Sequence, residues 1–95
     1  MNKTKDTLPT QKVSKTKAAE LLINAKKEDV FTVRFKKADG RKRTLVGTLH
    51  NTENHMGRSN VIDHQVYGGG SQIRQVDHRT IEWLILRGTR YQVKK

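Results

Sequence analysis

The sequence contains no cysteine. Disulfide frameworks, thiolate zinc sites and cysteine nucleophiles are therefore excluded together, and nothing reports a redox compartment. Proline occurs once, at Pro9, and aromatic residues make up only 5% of the 95 positions. Acidic residues are scarce too: 9 Asp and Glu face 20 Lys and Arg, for a formal net charge of +11. Such an excess repels the chain from itself unless a polyanion is at hand, and nucleic acid is the first polyanion to consider. Long apolar runs are missing. The longest is Trp83-Leu84-Ile85-Leu86, far short of the ~20 residues that span a bilayer, and the opening stretch MNKTKDTLPT holds no apolar export segment. A soluble, cytoplasmic protein with room for a single core is expected.

Residues 1–12 combine Lys3, Lys5 and Lys12 with Asp6 and offer little apolar surface besides Leu8 and Pro9, too little to offset the entropy of ordering them. They are expected to form a flexible basic arm, followed by one domain over residues 13–95. From Ser14 the pattern becomes helical. Ala18, Leu21, Leu22 and Ala25 recur at i, i+3, i+4 and i+7, Ser14 or Thr16 can cap the first turn, and residues 18–22 are strong helix formers. A helix of about fourteen residues with so narrow a stripe needs a surface to dock on.

Strand signals begin at Val30, where Phe31, Val33 and Phe35 alternate with Thr32, Arg34 and Lys36. Ala38-Asp39-Gly40 supplies a turn into a second strand through Leu45, Gly47 and Leu49. Asn51 to Asn60 reads as a polar loop, Val61 to Tyr67 as a third strand, Gly68-Gly69-Gly70-Ser71 as a flexible connection and Gln72 to Val76 as a fourth strand. His78 with Asp77, Arg79 and Thr80 is expected to build a turn. Past Glu82, Trp83 and Ile85 continue the face of Ile81 while Leu84 and Leu86 take the other, which predicts a strand covered on both sides with Trp83 in the core. Arg87-Gly88-Thr89 turns it into a last strand, Arg90 to Lys94. The sum is a mainly β domain with one N-terminal α-helix, its five or six short strands closing into a small barrel that the helix caps.

That order of elements resembles the Sm-like, SH3-type small barrels over roughly residues 31–94. VRFKKADGRKRTL (Val33 to Leu45) resembles the opening hairpin of small phage-encoded Sm-like SH3-barrel proteins related to WYL-type domains, whose pattern is F-x-K-x-D-G-x-x-R-x-L. IEWLILRGTRYQV (Ile81 to Val93) is similar to the way such barrels end. The resemblance implies a five- to six-stranded barrel in a phage protein acting in the host cytoplasm. It also implies a nucleic-acid ligand, because Sm-like barrels commonly bind RNA as rings and WYL-type domains are thought to sense nucleic acids or other ligands. No ligand-binding residue carries over, since no functional motif of either group aligns here.

The densest cationic cluster is Lys36, Lys37, Arg41, Lys42 and Arg43, which brackets one hairpin turn with only Asp39 beside it; Arg34 shares the outer face of Lys36. The charge peaks there, at +5 for residues 30–60 against +3 for each flanking part. Exposed Lys and Arg on such a rib contact phosphates and release counterions. Arg87 and Arg90, with Lys94 and Lys95, form a second basic set, and Arg58 and Arg74 are candidates for a base edge. Tyr67, beside the glycines, is a candidate to stack on a base. The four histidines, His50, His55, His64 and His78, match no metal-ligand spacing. The glycine run lacks the lysine and helix of a phosphate-binding loop, and no catalytic triad or carboxylate pair stands out.

The leading expectation is a small basic protein, not an enzyme and without cofactor or metal, that binds nucleic acid through the phosphate backbone, DNA slightly ahead of RNA. The alternative is an interaction protein that captures and inhibits an acidic host protein, which the same field would steer. A small nuclease using His and Arg comes third. No membrane partner is expected, and strand edges offer a route to a homo-oligomer.

Overall fold

In the computed structural model, which describes residues 8–65 and 72–94, seven strands and one α-helix make up the domain. The strands are β1 (Thr10–Val13), β2 (Phe31–Lys36), β3 (Lys42–Glu53), β4 (Arg58–Asp63), β5 (Gln72–Asp77), β6 (Ile81–Leu86) and β7 (Thr89–Val93), with α1 (Lys15–Ile23) between β1 and β2. They form one sheet in the order β1-β7-β6-β2-β3-β4-β5. Every pairing is antiparallel except that of β1 with β7. Among the described residues no helix is long and apolar enough to cross a membrane.

Mainly β with one helix is therefore right, but the closed barrel of five or six strands is not. The sheet has seven strands, and β1 and β5 are its two edges. The additional strand comes from the expected flexible arm, where Thr10 to Val13 pair with Arg90 to Val93 and Val13 is buried. Residues 1–7 lie outside the described residues. The sheet curls without closing, aided by register shifts between Arg34 and Phe35 in the β2–β6 pair and between Leu49 and Asn51 in the β3–β4 pair. The curl gives it a concave face.

That face holds the core: Phe31, Val33 and Phe35 of β2, Leu45 and Leu49 of β3, Val61, Val76, and Ile81, Leu84 and Leu86 of β6. Helix α1 lies over it with Ala18 and Leu22 fully buried, Leu21 packed alongside and Ala25 following. Its N-terminus is capped as the sequence predicts, the Ser14 hydroxyl accepting a hydrogen bond from the Lys17 N–H at 3.0 Å. It is nine residues long rather than fourteen: past Asn24 the Ala25 N–H donates to the Leu22 carbonyl at 3.1 Å, an i→i−3 turn that tightens and ends the helix. Burying Leu22 completely contributes on the order of 2 kcal/mol of transfer free energy, so docking rather than propensity keeps so short a helix folded.

Two further expectations change. The polar loop at Asn51 to Asn60 is the distal end of a long hairpin, β3 running on to Glu53 and β4 starting at Arg58 around a 3₁₀ turn, Asn54–Met56. Its pairs are polar: Asn60 donates to Asn51 at 2.7 Å, the Thr52 and Ser59 hydroxyls lie 3.1 Å apart, and Arg58 donates to Glu53 at 2.6 Å. Gly57, at φ +67, lets the chain reverse. Trp83 is only half-buried. The shift between Arg34 and Phe35 turns Ile81 inward with Leu84 and Leu86, leaving Trp83 and Ile85 toward the outer face.

Candidate nucleic-acid interface

The cations of the first hairpin meet more acids than their own turn supplies. Asp39 takes Arg41 at 2.9 Å and Lys37 at 3.9 Å. Glu82, two strands away from β3, takes Lys42 at 3.1 Å and Arg34 at 3.3 Å. Asp63 takes Arg43 at 3.0 Å from one side and Arg74 at 3.3 Å from the other. The backbone N–H and guanidinium of Arg41 hold Asp39 below its usual carboxylate range, and the Lys42 ammonium followed by Arg34 does the same for Glu82. At Asp63 burial alone would raise the pKa, but the Gln65 N–H, Arg74 and Arg43 together outweigh it and the carboxylate stays ionised. Among the described residues six acids engage nine cations in this way. The positive excess survives the pairing, since Asp39, Asp63 and Glu82 each serve two cations.

The excess is gathered along three adjoining clefts. The first, about 660 Å³, lies between the β2–β3 turn, the tip of the β3–β4 hairpin and β5, and is lined by Lys36, Lys37, Arg43, Arg58, Arg74 and Arg79. A second, about 500 Å³, shares Lys36, Arg79 and Thr80 with the first and adds Lys15, Lys42 and Lys94. A third continues from Gln92 and Lys94 to Lys12. Ten cations line this band against two acids, Asp77 and Glu82. Four of the ten, Lys12, Lys15, Lys36 and Lys94, make no ion pair among the described residues.

The residues expected from the sequence divide accordingly. Lys36, Lys37, Lys42, Arg43 and Arg58 line the band. Arg41 stands at the hairpin tip, gripped by Asp39, and Arg34 lies between Glu82 and Thr44. Arg87 pairs with Asp29 at 2.8 Å, and the Arg90 guanidinium lies 4.4 Å from the centre of the Trp83 ring. Those last four do not line the clefts. Tyr67, Lys3, Lys5 and Lys95 lie outside the described residues. Arg79 and Lys15 were not among the expected contacts. The signal for Arg79 was its place next to His78, because the turn expected there is a 3₁₀ turn, His78–Thr80, on which the Asp77 carboxylate accepts both the backbone N–H and the guanidinium of Arg79.

One buried polar chain has the residue types of a nucleophilic site. Ser59 Oγ is 2.7 Å from His78 Nε2 and 3.1 Å from Thr52 Oγ1. Ser59 is fully buried, and burial pushes the His78 pKa down against the opposing pull of Asp77. A substrate has no path to that hydroxyl, so the chain works as a polar tie between β3, β4 and the 3₁₀ turn. Among the described residues no three or more His, Asp or Glu come together as a metal site.

Comparison of the chain with family models, with curated proteins and with solved structures finds no match.

Proposed function

We propose that this protein binds nucleic acid, chiefly through the phosphate backbone, along the band formed by the three clefts. The observation that carries this reading is the continuity of the band: ten cations line it, four of them without an ion pair among the described residues, with Lys36 and Arg79 joining the first two clefts and Lys94 the last two. A polyanion lying along it meets one positive group after another, and each phosphate contact frees condensed counterions. Lys36 and Lys94, one at each junction of the second cleft, are the principal phosphate contacts, because among the described residues they, like Lys12 and Lys15, make no ion pair.

The test is a salt-series titration of labelled DNA and RNA oligonucleotides with the wild type, with Lys36→Glu/Lys94→Glu, and with Arg41→Glu as a charge-reversal control off the band. The double variant is expected to bind more weakly to every sequence, its salt slope shallower by about 0.9 for each duplex phosphate it no longer neutralises. The control should retain most of its affinity. Equal losses in both proteins, or no binding by the wild type at moderate salt, overturn the proposal.

A further inference from the structure

A backbone-only binder has no use for exposed apolar side chains, yet the described residues expose three large ones, and two of them share the first cleft. Met56, 51% exposed, and Ile73, 47% exposed, line it, while Val30 does not. The two come from distant places, the 3₁₀ turn between β3 and β4 and the start of edge strand β5. Both lie in the cleft where half of the arginines gather, so a ligand seated there covers apolar surface as well as charge.

The cations are sorted in the same way. Four of the eight arginines, Arg43, Arg58, Arg74 and Arg79, line the first cleft, whereas the cations that the second and third clefts add are all lysines. The planar, weakly hydrated guanidinium stacks on flat π-systems, while the strongly hydrated ammonium suits a point contact with phosphate. Arg43 and Arg74 are tied to Asp63 and Arg58 to Glu53, but Arg79 keeps 80% of its side chain exposed beside Asp77. Gln75 adds an amide that can both donate and accept.

We infer that the first cleft seats one unstacked nucleobase, so that the preferred ligand is a single strand, with its flanking phosphates on the lysines of the second and third clefts. This inference rests on the nucleic-acid reading above and narrows it. Met56 and Ile73 meet the base face, the exposed Arg79 guanidinium plane is available to stack, and Gln75 reaches the base edge. A duplex keeps its base faces stacked inside and cannot cover the two apolar side chains.

The experiment compares a 12-nucleotide single strand, the same length as an abasic single strand, and a 12-base-pair duplex by fluorescence anisotropy at one salt concentration. The wild type, Met56→Gln and Ile73→Gln are each measured; both substitutions sit at exposed positions and leave the charge unchanged. The wild type is expected to prefer the base-bearing strand over the abasic one, and each variant to lose about fivefold on the former only. Equal affinity for base-bearing and abasic strands, or for strand and duplex with no effect of either variant, overturns the base seat while leaving the phosphate band standing. Failure to bind any of the three, with capture instead of an acidic peptide carrying leucine side chains, overturns both.

Discussion

The carboxylate of Asp63, on β4, accepts a hydrogen bond from Arg43 of β3 at 3.0 Å, and Arg74 of β5 reaches the same oxygen from the other side at 3.3 Å. One buried charge thus ties three adjacent strands at the end of the sheet where the first cleft lies. Its two functions have opposite signs. Asp63→Asn should destabilise the fold by about 2 kcal/mol, below the ~3–5 for fully buried pairs because both guanidiniums keep part of their surface in water. The same change adds one positive charge to the cleft and should tighten nucleic-acid binding at low salt. Urea unfolding and anisotropy on the same sample check the two halves.

Gly47 sits in β3 opposite Asp63. A Cβ there would collide with the Ile62 carbonyl oxygen and press on Val61. Gly47→Ala is therefore expected to cost roughly 2–3 kcal/mol through overpacking, despite the better strand propensity of alanine. A thermal midpoint equal to that of the wild type would show that the β3–β4 pair can give way.

His78 makes stability depend on pH. Burial lowers its folded pKa below the usual 6.5, so as pH falls past 6.5 the unfolded chain takes up the proton first. Stability is then lost until the folded pKa is reached. Melting temperatures between pH 8 and pH 5 should fall for the wild type. In His78→Gln they start lower, because the tie to Ser59 is altered, and fall less over that interval.

Arg90→Ala removes the guanidinium from the half-buried Trp83 ring. The expected outcome is a shift in tryptophan emission, a loss of about 0.5–1 kcal/mol in stability, and a smaller drop in nucleic-acid affinity than Lys36→Ala causes. A drop as large as that of Lys36→Ala would extend the interface to the outer face.

What the sequence made legible was local. The helix stripe of Ala18, Leu21 and Leu22, the alternation through Phe31, Val33 and Phe35, and the Asp39-Gly40 turn each declare themselves within a few residues, and each is found. The distal hairpin was hidden because its cross-strand partners are Asn, Thr, Ser, Glu and Arg, which pair as well as valines but carry no apolar alternation. Trp83 was misplaced because a register shift in the β2–β6 pair breaks the period of two. The cluster at Lys36 to Arg43 was visible as charge. Its neutralisation by Glu82 and Asp63, and its continuation through Arg79 to Lys94, depend on residues about twenty to sixty positions away that only the fold brings near.

The parallel pairing of β1 with β7 carries a kinetic consequence. Thr10 finds its partner at Arg90, about eighty residues along the chain, and β2 meets β6 across about fifty, whereas the β2–β3, β3–β4 and β6–β7 hairpins close over short turns. Loop closure over such a span is entropically slow relative to hairpin formation. The outermost strand therefore pairs after the local hairpins have formed, and until it does the edge of β7 stays open. Lys12, which lies on that strand, joins the basic band only once β1 has paired.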